Sequence, residues 1–273
     1  MRMEQHVLNE LHSFRFTGED PKYALVISHG IASHGGIYDV FCEHHAAKGA
    51  DIFSYDAPGH GRSTTNRPRG HWRMEEWVQA SCDYATYVKN LTGLPVFTLG
   101  SSLGVGAAIS SISHEDVRGA ILMGSTVVPG HPMLQAMGAP FRSDGWKQAV
   151  ALLRGAGKLD IGRFFNFDED YGYKGALDQK KADPWNTWDY DLESWASLFQ
   201  YDPPVPIAEN TKPVLYTVGE NDPTFPVEVV KMVADGIGGP VDFEVFKDAG
   251  HQLMLFHTAD FSNTVHEWAL NQI

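Results

Sequence analysis

Short apolar runs alternate with helix-length amphipathic segments along most of this 273-residue chain. The runs have the β-branched and aromatic content of buried strands and cover residues 23–28, 51–55, 96–99, 119–123, 214–218 and 241–246. Between them, apolar residues recur every three or four positions at 37–48, 74–91, 103–113, 227–235 and 259–272. Since parallel strands need a crossover connection, usually a helix, this alternation predicts an α/β fold with a mainly parallel sheet flanked by helices. Segment 11–16 is expected to add an antiparallel edge strand.

The alternation stops between Ser125 and Lys212, a gap far longer than the roughly 12 residues that a simple crossover needs. This gap contains helical patterns at 146–153 and 192–200. It also contains glycine breaks at Gly155, Gly157 and Gly162 and a dense aromatic group at Trp185, Trp188, Tyr190, Trp195, Phe199 and Tyr201. We therefore predict a helical cap at 126–211, inserted into a core domain formed by 1–125 and 212–273. The aromatic side chains are expected mainly to hold the cap on the core, and one or two of them to line a pocket.

The charge balance excludes several classes of partner. Lys and Arg number 21 against 34 Asp and Glu, a formal net charge of −13, so the chain repels phosphate backbones and anionic lipid surfaces. No run approaches the roughly 18 apolar residues of a spanning helix, and residues 1–16 lack the apolar core of a signal peptide. We expect no nucleic-acid partner, no stable membrane insertion and a cytoplasmic location.

Metal and nucleotide cofactors are not expected. Cys42 and Cys82 are too few for a disulfide framework or a Cys-ligated zinc site, and are expected to be buried free thiols. No H-E-x-x-H motif, Cys/His cluster or phosphate-binding glycine loop is present.

The strongest chemical signal is Gly100-Ser101-Ser102-Leu103-Gly104, which follows a predicted strand and opens a predicted helix. A turn this sharp forces its central residue into strained backbone geometry and exposes that side chain at a helix N-terminus. The flanking glycines leave room for the turn and for close packing of the helix. Ser102 is therefore the predicted nucleophile, whereas Ser101 is expected to pack.

A serine nucleophile needs a histidine base, which a carboxylate holds in the correct tautomer. His251 follows the last predicted strand, and we expect it to be the base. Asp222 follows the strand at 214–218 and precedes a proline, so it is the favoured carboxylate. Glu220 and Asp248 remain alternatives.

The oxyanion of a tetrahedral intermediate needs two backbone N–H donors. One is expected from Leu103, directly after the nucleophile. The other is expected from Ile31, in the turn that follows the strand at 23–28. His29 in that turn is expected to brace it rather than to titrate in catalysis.

Together these motifs resemble the α/β-hydrolase superfamily across nearly the whole chain. The resemblance rests on His29-Gly30, the run Asp56-Ala57-Pro58-Gly59-His60-Gly61-Arg62-Ser63, the elbow from Gly100 to Gly104, Gly219 to Asp222, and Gly250-His251, in that order. The run from His29 to Tyr38 is most similar to the monoacylglycerol lipase and lysophospholipase branch, although Ser101 stands where that branch usually has histidine.

The resemblance implies an eight-stranded sheet, a cap after the sixth strand and the chain order nucleophile, acid, histidine, which Ser102, Asp222 and His251 satisfy. His34, Trp185 and Trp188 are predicted to contact the substrate.

The expected activity is hydrolysis of a carboxylic ester with a small to medium apolar acyl or alcohol group, through an acyl-enzyme. The substrate partner would then be a small molecule, and the acidity of the chain disfavours polyanionic esters. A serine at the elbow argues against haloalkane dehalogenases and epoxide hydrolases, which use aspartate there. Hydrolysis of a lactone, thioester or amide by the same residues stays open, as does a ligand-binding homologue without turnover.

Overall fold

The computed structural model describes residues 2–153 and 156–273, so the predicted glycine break at Gly155 lies outside the described residues. Its strands are β1 (Arg2–Leu8), β2 (Leu11–Thr17), β3 (Tyr23–Ser28), β4 (Ala50–Tyr55), β5 (Val96–Ser101), β6 (Val117–Met123), β7 (Lys158–Asp160), β8 (Asp189–Asp191), β9 (Val214–Gly219) and β10 (Val241–Phe246). Eight of them form one sheet in the order β1-β2-β4-β3-β5-β6-β9-β10. The six strands from β4 to β10 in that order are mutually parallel. The predicted mainly parallel, eight-stranded sheet is confirmed.

Helices cover both faces of this sheet, as the alternation predicted. The α-helices of the described residues are α1 (Asp39–Ala46), α2 (Met74–Thr92), α3 (Val105–Ser110), α4 (Pro132–Arg142), α5 (Asp144–Leu153), α6 (Phe167–Tyr171), α7 (Ala176–Ala182), α8 (Leu192–Gln200), α9 (Val227–Ala234), α10 (Leu253–Phe256) and α11 (Thr258–Leu270). On one face, α2, α3 and α9 bury side chains such as Trp77 and Val105. On the other, α1 and α11 bury Phe41 and Phe261. Apolar surface is therefore removed from water on both sides of the sheet.

The edge of the sheet differs from the prediction. β2 is antiparallel to β4, as expected, but β1 pairs along its other side, so β1 and not β2 is the edge strand. β1 is joined to β2 by the two-residue turn Asn9-Glu10, whose φ values of 48° and 71° suit a tight hairpin. An edge strand is specified by this pairing more than by apolar content, which explains why periodicity missed β1.

In its described residues, the segment between β6 and β9 contains five α-helices, α4 to α8, and a separate antiparallel ribbon of β7 and β8. The two predicted helical patterns correspond to α5 and α8, whereas the ribbon, α4, α6 and α7 were not predicted. We call residues 126–211 the inserted segment. It is tied to the core where Asp191 N–H donates to Gly70 O (3.0 Å) and Trp72 N–H donates to Ser194 Oγ (2.9 Å).

Within residues 2–153 and 156–273, no helix combines the length and the apolar character needed to cross a bilayer. Both cysteines are unpaired: Cys42 is buried, whereas Cys82 is half-buried rather than buried as expected.

Candidate active site

The sharp turn after β5 has the strained geometry that the glycine pattern predicts. Ser102 has φ +50°, a left-handed conformation that costs a residue with a Cβ atom about 1–3 kcal/mol. A Cβ on Gly100 would lie 2.5 Å from Gly104 O, and one on Gly104 would lie 2.2 Å from Ser28 O. Glycine at both positions therefore lets β5, the turn and the neighbouring strand approach each other closely. The turn leaves Ser102 partly exposed while Ser101 is buried.

Asp222 and His251 form a buried pair beside this turn. Asp222 Oδ2 lies 2.8 Å from His251 Nδ1, and its Oδ1 accepts hydrogen bonds from the N–H groups of Thr224 and Phe225, each at 2.9 Å. The two other candidate carboxylates are exposed: Glu220 accepts a hydrogen bond from Asp248 N–H. Among the three acidic residues that the sequence left open, the structure brings Asp222 to His251.

The pairing determines how His251 is protonated. Nδ1–H donates to the Asp222 carboxylate, so the neutral ring presents Nε2 as a proton acceptor. Burial lowers the pKa of His251, but the hydrogen bond and negative charge of Asp222, together with the charge of Asp170, outweigh burial and leave that pKa above its ordinary value. The imidazolium formed when Nε2 takes a proton is thereby stabilised.

Ser102 and His251 line the same small cavity, together with Asp170. Their side chains are not hydrogen-bonded to each other. Such contacts are often loose without substrate and tighten in the Michaelis complex. The structure thus places the two side chains in one site without joining them directly.

The backbone N–H groups of Ile31 and Leu103 have no hydrogen-bond acceptor among the described residues. The loop that carries Ile31 is held by an adjacent buried network. Ala32, at φ +48°, donates its N–H to Tyr190 Oη of the inserted segment (3.0 Å). Tyr190 Oη lies 2.8 Å from His60 Nε2, and His60 Nδ1 lies 3.0 Å from Pro58 O.

These contacts assign the protons of the network. His60 Nδ1–H donates to the Pro58 carbonyl, so Nε2 accepts from the Tyr190 hydroxyl, whose oxygen accepts from Ala32. Burial lowers the pKa of His60 well below its ordinary value, which keeps the ring neutral. One residue of the inserted segment therefore holds the loop beside a predicted oxyanion donor.

His29 braces the same turn, as predicted. Its Nδ1–H donates to Gly30 O (2.8 Å) and its Nε2 accepts from Ala57 N–H (3.1 Å). Burial lowers the pKa of His29 to about 4, so the ring is neutral near pH 7.

An apolar cavity of about 190 Å³ opens beside Ser102. Its wall is formed by core and inserted residues, including Ile31, Leu103, Leu134, Trp195, Phe199 and Phe225. Trp195 and Phe199 belong to the aromatic group noted in the sequence. They lie four residues apart on α8, so helical spacing was the signal that could have placed them on one face.

Asp170 is the charged residue of this wall, and no sequence signal identified it. It lies on α6 and accepts a hydrogen bond from Thr224 Oγ1, in the loop that carries Asp222. Burial raises the pKa of Asp170, whereas His251 and Thr224 oppose the rise. The inserted segment thus places a carboxyl group close to His251.

The three predicted substrate contacts are located elsewhere and do not line the cavities beside Ser102. His34 Nε2 lies 2.9 Å from Asp183 Oδ2, and its Nδ1 accepts from Gly36 N–H, so it joins the turn after β3 to the inserted segment. The Arg62 guanidinium carbon lies over the Trp185 ring, 4.2 Å from the centroid of that ring. Trp188 packs edge-on against Phe167, 5.3 Å between centroids. These contacts lie within the inserted segment and between it and the core, and the part of the three residues in substrate binding stays a prediction.

Comparison with known proteins agrees with this fold. Residues 19–256 match the Hydrolase_4 family, described as serine aminopeptidase, S33. Among curated relatives, a monoglyceride lipase homolog of monkeypox virus is 33% identical over 93 residues, and a monoacylglycerol lipase of Mycolicibacterium smegmatis is 35% identical over 92. These matches cover 33% and 32% of this chain and 32% and 31% of the relatives, about a third of each.

Solved structures superpose over the whole chain. A monoacylglycerol lipase of Paleococcus ferrophilus gives a TM-score of 0.71 at 20% identity, covering 100% of both chains. A thermostable carboxyl esterase from Bacillus coagulans gives 0.79 at 15% identity, covering 99% of both. At these identities the likeness shows the fold. With the family match extending over most of its length, the chain belongs to the serine aminopeptidase S33 family of the α/β-hydrolase superfamily.

Proposed function

We propose that this chain is a serine hydrolase that cleaves a carboxylic ester through an acyl-enzyme. The observation that supports the proposal most is that the strained, partly exposed Ser102, Ile31 and the His251 of a buried Asp–His pair line one small cavity. Leu103, which carries the second unpaired N–H, lines the adjoining apolar cavity. The partial matches to proteins named monoacylglycerol lipases favour an ester over other acyl compounds.

In the proposed mechanism, Ser102 Oγ attacks the acyl carbon while His251 Nε2 takes the hydroxyl proton. The carbonyl oxygen becomes an oxyanion that accepts hydrogen bonds from the N–H groups of Ile31 and Leu103. The tetrahedral intermediate then breaks its bond to the alcohol oxygen, which receives the proton from His251. Water attacks the acyl-enzyme by the same steps, giving up a proton to His251 and releasing the carboxylic acid and free Ser102.

The inserted segment is proposed to act as a cap that selects the acyl group. It supplies Trp195 and Phe199 to an apolar cavity of about 190 Å³. This volume lies below the roughly 300–1,000 Å³ of typical small-molecule sites. We therefore infer a preference for short to medium acyl chains.

The test is covalent labelling combined with ester turnover. A fluorophosphonate should modify Ser102, and Ser102→Ala should lower kcat for a p-nitrophenyl ester by about 10³-fold or more while the protein stays folded. Ser110→Ala is a matched control, because Ser110 is a buried serine whose hydroxyl has no hydrogen-bond partner. Labelling at another residue, or activity retained by Ser102→Ala, would overturn the proposal. Matched thioester and anilide substrates show whether the preference is for esters.

A further inference from the structure

A second cavity, of about 380 Å³, lies between the inserted segment and the core. Ile37 and Tyr171 line it, and both also line the small cavity that contains Ser102 and His251. The side chains of Ile37 and Tyr171 therefore separate the second cavity from the candidate active site. The apolar cavity with Trp195 does not include them and is lined by Ser102 itself, so the two larger cavities differ in character and in their distance from the serine.

A buried lysine lines the second cavity. Lys180 on α7 is only 7% exposed, and its ammonium donates to Tyr171 Oη (3.0 Å). It also lies over the rings of Phe167 and Tyr171, 5.5 and 5.0 Å from their centroids. Within the described residues no carboxylate lies within 4 Å of this ammonium. Burial lowers the pKa of Lys180 to about 8, so the side chain is mostly charged at pH 7.

An amide oxygen without a donor lies in the same wall. Asn186 is 5% exposed; its Nδ2 donates to the Lys180 carbonyl (2.9 Å), whereas its Oδ1 has no hydrogen-bond partner. Buried polar atoms are nearly always satisfied, and a lysine ammonium has three donors. The cavity is thus lined by a cation that keeps N–H donors beyond the one used by Tyr171, whereas the unused Asn186 Oδ1 belongs to a lining residue but is itself covered.

The negative charge nearest to this pair is already engaged. Asp183 also lines the cavity, but Oδ2 lies 2.9 Å from His34 Nε2 and Oδ1 accepts from Trp185 N–H (2.9 Å). One cation and one engaged carboxylate suit a singly charged anion better than a polyanion, in keeping with the net charge of −13.

We propose that this cavity is the subsite for the alcohol portion of the substrate, and that it binds a carboxylate through Lys180. The inference rests on the proposed function, which sets how the ester lies in the site. Its acyl chain occupies the apolar cavity, and its alcohol portion, a hydroxy acid, lies beyond Ile37 and Tyr171. The proposal requires the Ile37 and Tyr171 side chains to move apart on binding, because the small cavity that they share with Ser102 and His251 has a volume of only about 10 Å³.

The test compares two octanoyl esters that differ in charge alone, 3-O-octanoylglycerate and its carboxamide. Homologues of each with one or two more carbons between the ester oxygen and the carboxylate or amide are measured as well. The wild type should hydrolyse the best carboxylate with a kcat/KM about 10- to 100-fold above that of its amide, as expected for hydrogen bonds to a charged group. Lys180→Met should lose this preference, with the rate on the carboxylate falling much further than the rate on the amide. Lys181→Met is the matched control, because Lys181 is the exposed neighbour on the same helix.

A wild type that prefers the amide, or does not discriminate, overturns the proposal. So does a Lys180→Met variant that lowers both rates equally, as a purely structural lysine would. If Lys180→Met fails to fold, inhibition of the wild type by glycerate but not by glyceramide supports the subsite, and equal or absent inhibition rejects it. If no ester is hydrolysed at all, the proposed function fails, while calorimetric titration of glycerate into the wild type still tests the cavity by itself.

Discussion

The parallel sheet and the inserted segment contribute different kinds of residue to the candidate active site. The ends of β5 and β9 and the loop after β10 supply Ser102, Asp222 and His251. The inserted segment supplies the apolar and charged walls around them, such as Trp195 and Asp170. This difference supports the proposal that the core performs the chemistry and the insert selects the substrate. Tyr190 and Asp170 are insert residues that hydrogen-bond to the core loops carrying Ile31 and Asp222.

The largest effect should come from the acid of the core. Asp222→Asn preserves the shape of the side chain but favours the wrong tautomer of His251, and comparable changes in other triads lower kcat about 10⁴-fold. We expect a similar loss in steady-state hydrolysis with an unchanged melting curve. Glu220→Gln, in the same loop, should remain near wild type. A mild effect of Asp222→Asn on kcat would mean that Asp222 is not the acid of a catalytic triad.

Tyr190→Phe tests the division of roles between core and insert. A fall in kcat in this variant would mean that an insert residue affects the chemical step. It removes the acceptor of Ala32 N–H and the donor to His60. We expect kcat to fall about tenfold, less than the 10²–10³ lost when an oxyanion-hole donor is deleted, with little change in KM. The orphaned N–H should also lower the melting temperature.

Tyr201→Phe serves as the control for that variant, since no hydrogen bond of the Tyr201 hydroxyl is present in the part of the chain that the structure describes. If Tyr190→Phe changes stability but leaves kcat intact, the insert only supports the loop, and the division between core and insert becomes sharper.

Trp195→Ala should change selectivity rather than chemistry. Loss of the indole enlarges the apolar cavity, so kcat/KM should shift toward longer acyl chains. A methylene in an apolar pocket is worth at least about tenfold, and we expect the ratio of long to short chains to change by about that factor. A series of p-nitrophenyl esters measures it. Trp188→Ala, outside the cavity, should leave the series unchanged; equal shifts in both variants would count against the assigned wall.

The smallest effect is expected on the pH profile. His251 must be neutral to accept a proton, so kcat/KM rises with pH through its pKa, which lies above the ordinary value of about 6.5. Asp170→Asn removes a negative charge that raises this pKa, so the rising limb should move to lower pH. Glu169→Gln, an exposed neighbour, should not move it. An unmoved limb in Asp170→Asn would show that the insert carboxyl does not act on the base.

The sequence anticipated the core site because each residue follows an element that periodicity identifies. Ser102 stands between glycines at a strand-to-helix junction, and His251 follows the last strand. The choice of Asp222 over Glu220 and Asp248 was favoured by its place after the strand and before proline. The tertiary structure agrees with that choice, because Asp222 Oδ2 lies 2.8 Å from His251 Nδ1.

The inserted segment was harder to predict because it lacks a repeating period. Its helices α6 and α7 are short, with 5 and 7 residues, too few for an amphipathic stripe to stand out. Trp185 and Trp188 attracted attention as large aromatics, yet they pack within the insert and against Arg62. Trp195 lines the apolar cavity, and which side of α8 meets that cavity depends on how the insert packs on the core.

The amino-acid sequence by itself determined the alternating strands and helices, the glycine-flanked turn and the chain order of Ser102, Asp222 and His251, since these depend on local periodicity and local backbone sterics. Only the tertiary structure decided the contacts of the insert: Tyr190 with Ala32, Asp170 near His251, and Lys180 with Asn186 in one cavity. Those contacts join residues distant in sequence, and their geometry follows from how two packed bodies bury their apolar surfaces together.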